Sequence, residues 1–144
     1  IEILPMAQSE GLGVLPYSPL GGGLLSGKYG ESVPAKKGRL VDNPMYTTRY
    51  GDPGHSETAA RFVELASEAG HHPVSLAVRW VAAHPAVSAP LLGARNLEQL
   101  RPAIESVGIE MSADLYSSIA RLSPTPPPAT DRNEETSAHN YGSR

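Results

Sequence analysis

The stretch Gly11-Leu12-Gly13-Val14-Leu15-Pro16-Tyr17-Ser18-Pro19-Leu20-Gly21-Gly22-Gly23-Leu24-Leu25-Ser26-Gly27-Lys28-Tyr29 decides how the fold is read. Its first part, residues 13–17, is a short apolar run bounded by glycine and proline, the pattern of a parallel strand buried on both faces. Upstream, Ile1, Leu4 and Met6 or Ala7 keep roughly helical spacing across Pro5, and Gly11 is a fitting stop, so residues 1–10 read as the end of a helix. Downstream, residues 18–55 are rich in Gly, Pro, Ser and Asn and show no sustained period. A loop of that length inside a domain usually carries function.

Helical signals strengthen after residue 55. Ser56 can cap a helix in which Ala59, Phe62, Val63 and Ala66 fall at i, i+3, i+4 and i+7 before Gly70 stops the run. Pro73 suits the first position of a second helix, with Leu76, Ala77, Trp80 and Val81 as its buried stripe and His84-Pro85 as its end. Residues 87–92 form a second short apolar run, broken by Pro90 and closed by Gly93. Leu97, Leu100, Ile104 and Val107 then give a helical stripe ending at Gly108. Pro102 falls inside that helix and should remove a hydrogen bond to the Glu98 carbonyl, bending or delaying it. Ser112 can cap a last helix through Leu115, Ile119 and Leu122, after which Pro124, Pro126, Pro127 and Pro128 open a polar tail read as disordered.

This alternation of helices and short apolar runs is that of a parallel α/β protein. Two strands do not make a stable sheet, and a (β/α)8 barrel needs ~250 residues. Residues 1–123 therefore read as the C-terminal part of a larger domain, incomplete in this chain, and residues 124–144 as its tail. That the sequence opens on Ile1 without a methionine agrees with truncation.

The composition excludes several classes. With 144 residues and a net charge of -3, twelve Lys and Arg are outweighed by fifteen Asp and Glu, so the basic footprint of nucleic-acid binding is missing. The lack of cysteine rules out disulfides, a thiolate nucleophile and zinc-finger patterns, and fits a reducing compartment. No apolar run approaches the ~18 to 20 residues of a membrane span, and no signal-peptide pattern opens the chain. The expectation is a soluble, cytoplasmic protein. His71 and His72, next to Pro73, cannot share a helical face and read as solvent-facing turn residues rather than metal ligands. His55, His84 and His139 support no catalytic triad, and Glu134 and Glu135 read as a solvated pair.

Gly22-Gly23-Leu24-Leu25-Ser26-Gly27-Lys28 matches a phosphate-binding loop in form. Tyr29 stands, however, where a hydroxyl must ligate magnesium, and Gly30-Glu31-Ser32-Val33-Pro34 does not open the helix whose N-terminus should hold the phosphate. A magnesium-dependent nucleotide hydrolase is therefore the weakest reading.

The whole run of residues 11–29 instead strongly resembles the seventh strand and following loop of the aldo/keto reductases, particularly the branch with potassium-channel β subunits and many bacterial oxidoreductases. Val78-Arg79-Trp80-Val81 is similar to the helix before that family's eighth strand. Pro90-Leu91-Leu92-Gly93-Ala94-Arg95-Asn96-Leu97-Glu98-Gln99-Leu100 is similar to the eighth strand and its phosphate-gripping turn. The resemblance covers about residues 1 to 123.

It implies a (β/α)8 barrel with NADPH lying across the C-terminal ends of the strands. Tyr17 would stack on the nicotinamide, and Ser18, Pro19, Leu20, Gly21 and Gly23 would let the backbone pass close to the pyrophosphate. Lys28 and Arg39 align with basic residues near the phosphates, although either taken alone is an ordinary solvated charge. Gly93 would allow a tight strand-to-helix turn, and Arg95 would grip the adenosine 2'-phosphate with its fork of donors, favouring NADPH over NADH. Gln99 would join that grip, or form a capping box with Asn96, or both. The family's acid and amide that contact adenine are replaced here by Pro102 and Ala103.

Its catalytic Asp, Tyr, Lys and His lie on or after the first four strands, and none maps onto this chain. The resemblance implies the cofactor-binding portion of a reductase of aldehydes or ketones, itself inactive in isolation. The competing reading is a non-catalytic product that binds a dinucleotide or pairs with a complementary half-barrel through its open edge.

Overall fold

The computed structural model describes residues 1–29 and 38–128. The tail from residue 129 onward, with Glu134, Glu135 and His139, lies outside the described residues, as do residues 30–34 after the phosphate-loop-like run.

Helix α1 (Ile3–Ser9) comes first and is closed by Gly11, whose φ of 64° lies in the left-handed region. Helices α4 (Pro53–Glu68), α5 (Pro73–Ala82) and α7 (Ala113–Ala120) build the core. Phe62 and Ala66 of α4, Leu76 and Ala77 of α5, Ile109, and Ile119 of α7 form one buried cluster, bordered by Trp80, Leu115 and Leu122. Burial on α5 exceeds a single stripe: Val74 through Val78 are all buried, because α4, α7 and the helix after residue 96 each pack on a different side of it. Polar ties finish the packing. Trp80 donates from Nε1 to the Tyr116 carbonyl (3.2 Å) while the two rings stack at 5.5 Å, Arg79 Nε donates to the Ile109 carbonyl, and Arg61 donates to the Leu122 carbonyl at 2.7 Å.

The caps explain the boundaries. The cap of helix α4 is Asp52, four residues before the expected Ser56, because Asp52 accepts from the Gly54 N–H and Pro53 fits the first turn. It ends in a Schellman motif, with Gly70 (φ 72°) donating to Ser67 and His71 to Ala66. Ser112 caps α7 as expected, accepting from Leu115.

The structure departs from the sequence reading in three further places. Residues 18–55 are not an uninterrupted loop, since they hold a 3-10 turn at Gly21–Ser26 and two short helices, α2 (Arg39–Asp42) and α3 (Pro44–Tyr50), the latter capped by Asn43. The apolar runs at 13–17 and 87–92 lie side by side in parallel but form a single bridge, Tyr17 to Leu91, and Leu12, Leu15 and Tyr17 are exposed rather than buried. A strand pair flanked by no other strand among the described residues has nothing to cover its faces. Helix α6 (Leu97–Glu105) forms without delay and gives way to a 3-10 turn (Ser106–Gly108) that carries Val107; of the expected apolar stripe Leu100 is half-buried, but Leu97 is 78% and Val107 82% exposed, and Ile104 is exposed too. Ala103, Ser106 and the Pro102 carbonyl face the protein instead, the last accepting from the buried Ser75 hydroxyl at 2.6 Å.

Candidate functional site

The two apolar segments set the site. Ser88 donates from its backbone to the Val14 carbonyl, and Leu91 to the Pro16 carbonyl at 2.8 Å, so both chains leave the pair at the same end. From there one enters the glycine turn and the other the turn into α6.

The first exit is unusually curled. Ser18 has φ 57°, and Gly21, Gly22 and Gly23 follow with φ of 54°, 68° and 97°. The requirement for glycine is strongest at Gly22, where a Cβ would come within 2.9 Å of the Tyr46 ring and close to Tyr50 as well. At Gly23 a Cβ would press on the Lys28 side chain at 3.0 Å. Ser26 pins the turn by donating to the Gly23 carbonyl at 2.6 Å. Two cations ride on tyrosines beside it: Lys28 Nζ stands 4.7 Å from the Tyr29 ring centre, and the Arg39 guanidinium 5.7 Å from that of Tyr46.

The second exit is a capped helix start. Asn96 accepts from the Gln99 N–H at 2.9 Å, and the Gln99 side chain reaches back to accept from the Arg95 N–H at 3.2 Å. This near-reciprocal box fixes the backbone that carries the Arg95 guanidinium. Gly93 is not in a left-handed conformation, and a Cβ there would meet nothing within 4 Å. The turn itself therefore does not demand glycine at this position.

Both exits open on one cleft of about 820 Å³, within the ~300–1,000 Å³ usual for cofactor sites. Of the residues singled out from the sequence, Tyr17, Ser18, Pro19, Leu20, Gly23, Lys28, Arg39, Gly93, Arg95 and Gln99 line it. Gly21 does not, because it sits behind the turn against Tyr50 and Leu24. Tyr17, 74% exposed, presents its ring at the mouth of the strand pair. Among the described residues Lys28, Arg39 and Arg95 have no carboxylate within salt-bridge distance. Three cations thus border one cleft, together with the Glu98 carboxylate. No group of metal-ligating side chains occurs among the described residues.

Sequence reasoning missed four contributors. His72 lines the cleft and is the N-cap of α5, its Nδ1 accepting from the Val74 N–H at 3.1 Å; the His-Pro pair at a helix start was the available signal. Glu98 lines the cleft from the first turn of α6. Tyr46 and Tyr50 pack behind the glycine turn from α3, a helix hidden by the loop-like composition around it.

The aldo/keto reductase family model matches residues 1–124. The chain belongs to the aldo/keto reductase family. Among its relatives, the uncharacterized oxidoreductase YrpG of Bacillus subtilis is 34% identical over 130 residues, covering 88% of this chain and 36% of that protein. A putative voltage-gated potassium channel subunit beta of Schizosaccharomyces pombe is 30% identical over 112 residues, 74% of this chain and 32% of the other. The solved structure of the glycerol dehydrogenase AKR11B4 from Gluconobacter oxydans superposes with a TM-score of 0.66 at 25% identity, covering 88% of this chain and 40% of that one. The chain thus spans about a third of the length of these curated relatives. Its fold is part of the (β/α)8 barrel of this oxidoreductase family, which explains why two short parallel segments stand without further strands around them. No helix among the described residues is long and apolar enough to cross a membrane.

Proposed function

We propose that the cleft holds NADPH for an aldo/keto reductase that reduces aldehydes or ketones to alcohols. The observation that carries this reading is the convergence of Lys28, Arg39 and Arg95, unpaired among the described residues, on a cleft edged by a glycine turn and the exposed ring of Tyr17. These residues suit a dinucleotide. Tyr17 offers a flat face to the nicotinamide, and the backbone of Ser18 to Gly23, bare of large side chains at Gly22 and Gly23, suits the pyrophosphate. Lys28 and Arg39 balance its charge, and Arg95, its backbone held by Gln99, meets the 2'-phosphate with paired donors. When bound, the cofactor supplies hydride. The proton donor belongs, by the family resemblance, to parts of the barrel that residues 1–144 do not include, so the share of this chain is to hold and orient.

The reading assigns residues 1–123 to the oxidoreductase domain and residues 124–144 to a polar tail. A second reading, a non-catalytic dinucleotide-binding chain that associates with a complementary part of a barrel, is favoured by the exposed apolar face of Leu97, Ile104 and Val107.

Fluorescence titration of the intact protein with NADPH and NADH tests the proposal. Arg95→Ala is expected to raise the Kd for NADPH by about 10- to 100-fold, the effect of losing charge-assisted hydrogen bonds, and to abolish any preference over NADH. Unchanged NADPH affinity in that variant would overturn it.

A further inference from the structure

We infer that Tyr29 is a positioning residue of the cleft, its ring holding Lys28 and its hydroxyl holding the helical turn that carries Arg39. The inference rests on the dinucleotide reading of the cleft and deepens it beside the glycine turn. Lys28, Gly38 and Arg39 line the cleft, whereas Tyr29 is half-buried and is not among the lining residues. It occupies the position at which a phosphate-loop pattern asks for a magnesium-ligating hydroxyl, and here that hydroxyl has another task. It accepts from the Leu40 N–H at 3.3 Å, eleven residues further along the chain.

Leu40 is the second residue of α2, and the N–H groups of a first helical turn have no acceptor within the helix. The N-cap residue ordinarily supplies one, but here it is Gly38, which has no side chain to do so. Nor is there room for one, because a Cβ at Gly38 would collide with the Tyr29 hydroxyl. The cap is therefore delivered from Tyr29, while Asp42 supplies the reciprocal half by accepting from the Gly38 N–H at 2.9 Å. Arg39 lies between these two bonded residues, so its backbone is bracketed. Lys28 is held by the ring: its Nζ stands 4.7 Å from the ring centre. The same Nζ passes between Gly23 and Gly38, where added Cβ atoms would come within 3.1 and 3.3 Å of it. The two glycines leave space for the ammonium and the ring attracts it. Ordering long side chains before a ligand arrives lowers the entropy lost on binding. One tyrosine thus pre-orders both cations on this side of the cleft.

Fluorescence titration of the intact protein with NADPH, arranged as two double-mutant cycles, tests the assignment. Tyr29→Phe removes only the hydroxyl, and Tyr29→Leu removes the ring as well. Tyr29→Phe is expected to raise the Kd for NADPH by about three- to tenfold, the effect of one hydrogen bond, and to have no effect where Arg39 is already alanine. Tyr29→Leu should add a further loss of about two- to fivefold, the cation–π share, which vanishes where Lys28 is already alanine. A tyrosine with a purely structural role would lower the melting temperature without this coupling to either cation. Unchanged affinity in Tyr29→Phe overturns the proposal, as does a loss that multiplies undiminished with Arg39→Ala. Tyr29→Phe keeps the ring and decides the matter if Tyr29→Leu fails to fold. Wild-type protein that binds no NADPH sinks the dinucleotide reading and this proposal with it, whereas wild-type binding with no loss in Tyr29→Phe sinks this proposal alone.

Discussion

The helical cluster of α4, α5 and α7 and the parallel pair at residues 13–17 and 87–92 are built on opposite terms. In the first, Phe62 is 2% and Leu76 0% exposed, and every long apolar stripe finds a partner within the described residues. In the second, one bridge and a few backbone bonds align two segments whose side chains stay open. Stability is concentrated in the helices, while the cleft hangs from the ends of the less covered pair. Binding residues belong on such ends, since a backbone there can be shaped for a ligand without disturbing the core.

The contrast can be probed from its strongest side downward. Phe62→Ala removes a fully packed ring, and denaturant unfolding is expected to show a loss of about 3–5 kcal/mol. Gly22→Ala forces a left-handed alanine and drives its Cβ at Tyr46; chemical denaturation should register a cost of about 2 kcal/mol, together with weaker NADPH binding as the turn shifts. Leu97→Ser alters a residue with 78% of its surface exposed and should stay within about 0.5 kcal/mol. A cost for Leu97→Ser approaching that of Phe62→Ala would break the comparison, and would mean that the outer face of α6 is covered in the intact protein.

The helices that bury a stripe were legible because one-sided burial imprints the 3.6-residue period, as Ala59, Phe62 and Ala66 demonstrate. The same period misled at α6. Leu97, Ile104 and Val107 mark an apolar face correctly, but periodicity does not say against what a face packs, and none of the described residues covers this one. The parallel segments were legible as apolar runs for the same reason and are uncovered for the same reason. Helices α2 and α3 escaped notice because glycine and proline around them masked short cap signals such as Asn43-Pro44. In the cleft, charged and glycine positions could be read from two long motifs, whereas His72, read as a solvent-facing turn residue, is exposed as expected but also caps α5 and borders the cleft, which only the His-Pro pair hinted at.

The bond from Ser75 to the Pro102 carbonyl has a mechanical side. Proline leaves the ladder of α6 one donor short, and a hydroxyl from the neighbouring helix engages the carbonyl of that same proline at 2.6 Å, with Ser75 buried. The bond works as a spacer bolt between α5 and α6, fixing the gap across which His72 and Arg95 face the cleft. The opposite wall is hung differently, on a 3.3 Å bond from the Leu40 N–H to the Tyr29 hydroxyl and on aromatic contact with the glycine turn. One wall of the cleft is thus joined by a short bond between two helices, the other by a longer bond and ring contacts.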